Sequence, residues 1–382
     1  MKQRYFYVTL TLLLCSLVGI LPAQINQLEF IRSQHFRPTF HIKSWTFDDT
    51  EALDRFTEFT IPVSYSLPLG TRLGLDVATA PFIGIKELPN GKTDEFHNVT
   101  DTFVRASFIV GDNLALLTFG VGIPSGETEL TADEMTIAGL ASNRPLNNPV
   151  TNFGTGFSYH FGLALAQELG TWVLGAGVGF SLRQKYDANL SGQDFEIAPG
   201  NEFNLTVGVE REFEMVGGRA KVLADFIYTN YGEDEINDAP FFEAGDKFLL
   251  RGQLLAPLGF LNPVILSAIY RWRSDNRIDE TTMDASLISN GSEVELRAAF
   301  IQPLGGSFSL KYVAQAQLYG DNDLGFEGAT IYGFGGGFVL NFSNRVSFDP
   351  TFIYSKGSID VNPQTEVDVT GLELRGGLAF RF

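Results

Sequence analysis

Charged side chains recur at alternate positions along this chain, and they are the groups best placed to do chemistry. Arg183, Arg251, Arg271, Arg273, Arg297, Lys311 and Arg345 form a cationic set, with Arg105, Arg219, Lys221, Lys247 and Arg375 in the same kind of position. Asp225, Glu295 and Asp349 supply carboxylates, joined by Asp76, Glu210, Glu293 and Glu373. Each lies in or at the edge of a segment whose intervening residues are apolar. Facing rows of such charges, set in a water-filled pore, would fix its ion preference. The same groups paired with one another would stiffen a wall instead. Spacing leaves both readings open.

Oxygen ligands crowd the stretch "YGEDEINDAPFFEAGD", where Glu233, Asp234, Glu235, Asp238, Glu243 and Asp246 precede any basic residue. Clusters of this kind suit Ca²⁺ or Mg²⁺, ions that also bridge anionic lipopolysaccharide. The spacing of a calcium hand is absent, so the competing reading is a solvated, self-repelling exterior. Histidine occurs only at positions 35, 41, 97 and 160. Ser158 and His160 share a face, but a spacing of two residues predicts that Oγ does not meet the imidazole as a nucleophile–base pair requires. No orienting carboxylate is evident beside them. "GFGGGF" (333–338) is no phosphate loop: Phe334 and Phe338 share one side, and small glycines leave room on the other. The chain reads as a non-enzyme without a cofactor.

The elements that carry these charges share one pattern. In residues 171–185, Trp172, Leu174, Ala176, Val178, Phe180 and Leu182 alternate with Val173, Gly175, Gly177, Gly179, Ser181 and Arg183. Residues 219–231, 308–319 and 345–355 repeat the alternation, the period-2 signature of a two-faced strand. A soluble sandwich would use strands of about 5–6 residues. These are roughly twice as long, near the ~9–11 residues that cross a bilayer at a tilt. Short turns such as "PLGT", "ELGT" and "PLGG" alternate with long polar loops near 47–54, 83–100, 123–154, 185–201, 232–246, 274–291, 320–328 and 357–369. That count predicts about sixteen strands, or fourteen if the first segment, about 37–47, is not one. Lipid leaves no backbone group unsatisfied, so the sheet must close. The fold class is all-β: a transmembrane antiparallel up-and-down β-barrel.

Lys2 and Arg4 precede an apolar run ending in "LPAQ", which marks residues 1–23 as a secretory signal peptide. A short segment, 24–36, then leads to the barrel, 37–382. The single cysteine, Cys15, falls in the leader, so the mature chain has no thiol or disulfide. A formal charge of −18 argues against a nucleic-acid partner. The chain ends "ELRGGLAFRF", alternating to its last residue. A closing strand, with Phe382 at the periplasmic interface where aromatic residues anchor, accounts for that. A terminal strand ending in Phe also resembles the assembly signal of bacterial outer-membrane proteins, which implies recognition of Phe382 by their insertion machinery and a place among outer-membrane lipids.

The loop at 123–154 sets apolar Met135, Ile137, Leu140, Leu146 and Val150 among polar residues, a composition suited to folding into the barrel mouth and narrowing it. The stretch "GIPSGE…NFGTGFSYHFGLALAQELGTWVLGAGVGF" resembles a family of outer-membrane transporters tied to phenol-degradation pathways and related to the fatty-acid transporter superfamily. The resemblance implies passage of small molecules, hydrophobic or aromatic compounds among them. It covers about a fifth of the chain, and no hatch motif accompanies it. Residues 24–36 are too few for a plug, which excludes a TonB-dependent receptor. The expectation is therefore a channel or transporter for a small-molecule solute. A structural or adhesive surface barrel with a filled lumen is the alternative, and a barrel hydrolase the outsider. Oligomeric state is not readable, because lipid-facing and subunit-facing aromatics look alike.

Overall fold

The computed structural model describes residues 34–48, 50, 52–111, 115–215, 218–258, 262–278, 286–288, 290–322, 327–362 and 365–382. Sixteen antiparallel strands form a closed barrel. They are β1 (His35–Phe47), β2 (Arg55–Thr60 continued by Val63–Pro68), β3 (Leu73–Thr79 and Pro81–Glu87), β4 (Thr93–Val99 and Thr102–Val110) and β5 (Ala115–Ile123). After a long loop follow β6 (Ser158–Leu169), β7 (Trp172–Arg183), β8 (Glu202–Met215), β9 (Gly218–Tyr231), β10 (Lys247–Leu258) and β11 (Asn262–Arg273). The wall ends with β12 (Glu293–Pro303), β13 (Phe308–Tyr319), β14 (Gly328–Asn341), β15 (Val346–Asn362) and β16 (Thr365–Arg381). Closure is made by β1 against β16, in register from His35↔Arg381 to Phe47↔Val369. The first strand is therefore real, and it settles the count at sixteen. Phe382 donates its N–H to Gln34 O at 3.0 Å, continuing that seam.

The alternation sorts the wall into two faces. On β6, Phe161, Leu163 and Leu165 are exposed on the outside while Ala164 and Ala166 are buried within. Leu174, Val178, Phe180, Leu266, Tyr270, Trp272, Tyr332, Phe334 and Tyr354 continue the outer apolar belt. An edgeless sheet inside such a belt is built for lipid, and the protein is a bacterial outer-membrane barrel. Two segments expected as long loops are strand instead. The 83–100 region is a hairpin turning at 88–92, and β15 and β16 run on to Asn362 and from Thr365. Glu366 and Asp368 give the start of β16 a loop-like composition, yet both are exposed while Val367 and Val369 between and beyond them are buried.

Beyond the barrel, three connections carry short hairpins that join into a second sheet. Its strands include Tyr186–Leu190, Gln193–Ala198, Glu233–Ile236, Ala239–Glu243 and Asn276–Ile278. Glu129–Leu130 adds to its edge in parallel with Asn189 and Leu190. The chain then turns inward through helix α1 (Ala132–Ser142) and a single 3₁₀ turn, Arg144–Leu146. A capping box opens α1: Thr131 accepts from the Glu134 N–H, and the Glu134 carboxylate accepts from the Thr131 N–H.

Candidate functional site: the lumen and its inserted loop

The loop between Ile137 and Val150 folds into the barrel and forms a core there. Ile137, Ala141, Leu146 and Val150 are buried against Trp45, Phe56, Phe82, Phe96, Ile331, Ile359, Val367 and Val369 of the wall. The wall strands concerned, β1 to β4 and β14 to β16, thus put apolar side chains on the face that elsewhere is polar. Gly84 makes the fit: a Cβ there would lie 2.5 Å from Ile137 Cγ2. Burying each large aliphatic side chain contributes about 1.5–3 kcal/mol.

Polar bonds fix the loop's position. Trp45 Nε1 donates to Leu146 O at 3.0 Å, Lys43 Nζ to Asn147 O at 2.8 Å, and the Val150 N–H to Glu58 Oε1 at 3.0 Å. Asn148 Nδ2 donates to Leu140 O at 3.2 Å, satisfying the end of α1. Lys86 and Lys92 hold Asp133, at the start of α1, at 3.7 and 3.5 Å. At the loop's base one carboxylate clamps both limbs. Asp101 accepts from the N–H groups of Ser125 and Gly126 at 3.2 and 3.1 Å, and from Thr155 N and Oγ1 at 2.7 and 2.8 Å. The limbs cross at Gly126 and Gly154, where either Cβ would overlap backbone of the other limb.

The charged rows pair sideways along the wall rather than across the lumen. Arg251 and Asp225, neighbours on β10 and β9, bond through Nε–Oδ1 and Nη2–Oδ2, both at 3.0 Å. Arg183 pairs with Glu202, Lys221 with Glu210, and Arg271 with Glu293, with Glu295 3.6 Å from Arg271. Lys311 on β13 reaches Asp349 on β15 across Gly337, whose missing side chain leaves the way clear. Arg105 holds Asp76 at 2.8 Å, and Glu373 lies 3.2 Å from His41 Nε2 and 3.5 Å from Arg375. Arg297 faces inward on β12, where Nε and Nη2 are buried without a hydrogen-bond partner. Arg273 also faces inward and stacks over Tyr231, its Cζ 5.2 Å from the ring centroid. Arg345 lies at the turn before β15, exposed and off the strand rows.

Sequence reasoning did not single out Arg144, which the loop carries toward the opposite arc. There it lies in the field of Arg273, Arg271, Glu293 and Tyr231. Burial pushes its guanidinium below the ordinary arginine range, and the Arg273 cation adds to the push. Lys247, paired in register with Arg273, shares a field with Arg271, Arg273 and Arg144. Trp45, Glu58 and Asp101 were missed as well. Aromatic residues on the lumen-facing parity of strands were the available signal for Trp45, Phe56, Phe82 and Phe96. Asp101 gave none, being one loop carboxylate among many.

One expectation fails. Ser158 Oγ does meet the imidazole, 2.9 Å from His160 Nε2, while Nδ1 lies 2.8 Å from Ser181 Oγ. Gly122 and Gly120 stand opposite Ser158 and His160, so no neighbouring side chain keeps the two apart. The chain of contacts ends in a second hydroxyl rather than a carboxylate. The acidic stretch is spread out: Glu233 lies 3.0 Å from Arg277, Asp234 accepts from Gly200 N at 2.6 Å, and Asp238 pairs with Lys185. Glu235 lies in the same short strand as Glu233, and among the described residues no three metal-binding side chains gather.

No family model matches the chain, and no curated protein does. Solved structures do. OprB of Pseudomonas putida aligns over 91% of this chain and 94% of its own, with 7% identity and a TM-score of 0.49. OccK11 (OpdR) of Pseudomonas aeruginosa aligns over 92% and 96%, with 8% identity and a TM-score of 0.46. The monoaromatic hydrocarbon channel CymD aligns over 96% of both chains, with 10% identity and a TM-score of 0.42. At such identities the likeness is one of fold alone.

Proposed function

We propose that the protein is a channel through which small polar solutes cross the outer membrane. The observation that carries this reading is water access to inward-facing charges toward both ends of the wall. With the loop in place, the Asp349 side chain keeps 49% of its surface exposed, Arg183 32% and Arg271 27%. Sixteen strands enclose more space than their own side chains fill. The inserted loop packs its apolar side chains against β1 to β4 and β14 to β16, and the ion-paired arc, β7 to β12, carries none of that packing. Trp45, Phe56, Phe82 and Phe96 are taken up in packing against the loop, which favours polar over hydrophobic solutes. Outer-membrane lipid is the surrounding partner, and Phe382 extends the seam strand that insertion machinery would read. The same reading has no catalytic step, since Ser158–His160–Ser181 lacks the carboxylate that would stabilise an imidazolium. Reconstitution of the purified barrel in a planar bilayer tests it. Steady ohmic steps, with the swelling of sugar-loaded liposomes, are expected. An inserted, heat-modifiable barrel that conducts nothing would leave a surface role instead.

A further inference from the structure

We propose that Arg144, Lys247 and Arg273 form a binding subsite for a carboxylate-bearing solute, between the inserted loop and the β9–β11 wall. The proposal rests on the channel reading and narrows it to a solute class. Lys247 and Arg273 are direct partners in register, both inward, on adjacent strands. Like charges placed opposite one another weaken a strand pair, yet here the loop adds a third cation to the same field. Elsewhere on β7 to β11 the inward cations Arg183, Lys221, Arg251 and Arg271 each have a carboxylate alongside. Among the described residues, none lies within ion-pair distance of Arg144, Lys247 or Arg273. Glu293, whose charge reaches Arg144 and Lys247, is committed to Arg271.

Three cations gathered with no carboxylate at ion-pair distance make a site whose missing component is an anion. The chemistry of the lining says which kind. Two guanidinium groups offer planar, forked donors that match a carboxylate's two oxygens. The Nε of Arg273 is buried and unpartnered, and the Tyr231 ring beneath that guanidinium holds its plane. One ammonium completes a set that neutralises a single planar anion without demanding the higher charge of phosphate.

Isothermal titration of the detergent-solubilised barrel with benzoate and acetate, with inorganic phosphate as comparison, reads the site without any current. Saturable one-site binding of a carboxylate is expected. Arg144→Gln and Lys247→Gln should each weaken it about ten- to hundredfold, one charge-assisted hydrogen bond apiece. Arg273→Lys should weaken it too, because the fork is lost while the charge is kept. Arg219→Gln, at the short-turn end, should change nothing, and heat-modifiable migration confirms that each variant is folded. Tighter binding of phosphate than of either carboxylate overturns the solute class. Absent binding, or wild-type affinity in Arg144→Gln and Lys247→Gln, overturns the site. A barrel that binds benzoate but stays silent in a bilayer refutes the channel reading and leaves this one standing.

Discussion

Ile137→Asp should expel the inserted loop while leaving the barrel intact. Ile137 is fully buried among Phe82, Phe96 and their neighbours. The substitution removes about 2–3 kcal/mol of apolar burial. It also buries a carboxylate among apolar side chains, which costs several kcal/mol more. A combined penalty of about 5 kcal/mol lowers the docked-to-undocked ratio by roughly three to four orders of magnitude. The wall does not depend on the loop, since its strands pair in an unbroken ladder from β1 round to β16. Single-channel conductance should therefore rise severalfold, and chymotrypsin should cut within 135–150 of the folded barrel. Acid should reverse both effects. The introduced carboxyl is buried only when docked, so docking raises its pKa and takes up a proton as pH falls. Wild-type conductance and protease resistance at neutral pH would show that the loop is not held as the structure implies.

Other consequences are narrower. Asp101→Ala should leave the loop docked but free its base, with faster hydrogen exchange at Ser125, Gly126 and Thr155; unchanged protection there would rule out the clamp. Gly337→Val should prevent assembly, since its Cβ would overlap the Pro350 carbonyl of the adjacent strand, and a heat-modifiable band from that variant would contradict the packing. Lys185 bridges Asp238 and Glu196, which raise its pKa above the ordinary 10.5. Its contribution is complete below that value and fades as pH climbs through the folded-state pKa, so exchange across Ile197↔Ile236 should quicken only in strong alkali. Ser158→Ala should leave ester hydrolysis at background in both proteins; a wild-type rate abolished by the change would make the barrel an enzyme.

Sequence showed the wall and hid what fills it. Alternation is a local property, set by which way successive Cβ atoms point, and it revealed Phe161, Leu163 and Leu165 as plainly as the small positions between them. The β15–β16 extension was hidden because Glu366 and Asp368 have the composition of a loop until the parity of Val367 and Val369 is weighed. The loop's apolar residues and their destination in the barrel mouth were visible, but the wall residues that receive them were not. Trp45 and Leu146 stand 101 positions apart, and only the closed geometry brings them together. Ser158 and His160 were misread for a related reason: whether two side chains on one face touch depends on what stands opposite them, here Gly122 and Gly120.

The two arcs of the lumen explain why the loop can be both fixed and selective. A loop held by polar contacts alone would compete with the charged rows for partners and loosen in salt, since exposed ion pairs are screened. Here the grip is mainly apolar and confined to β1–β4 and β14–β16, so it is insensitive to the ions that pass. The opposite arc keeps its charges in lateral pairs, which satisfies them without closing the way. Where the loop's own cation, Arg144, approaches Lys247 and Arg273, that balance is broken. A solute moving along the ion-paired wall therefore meets unbalanced charge beside the loop, and the loop's apolar anchorage is what puts Arg144 there.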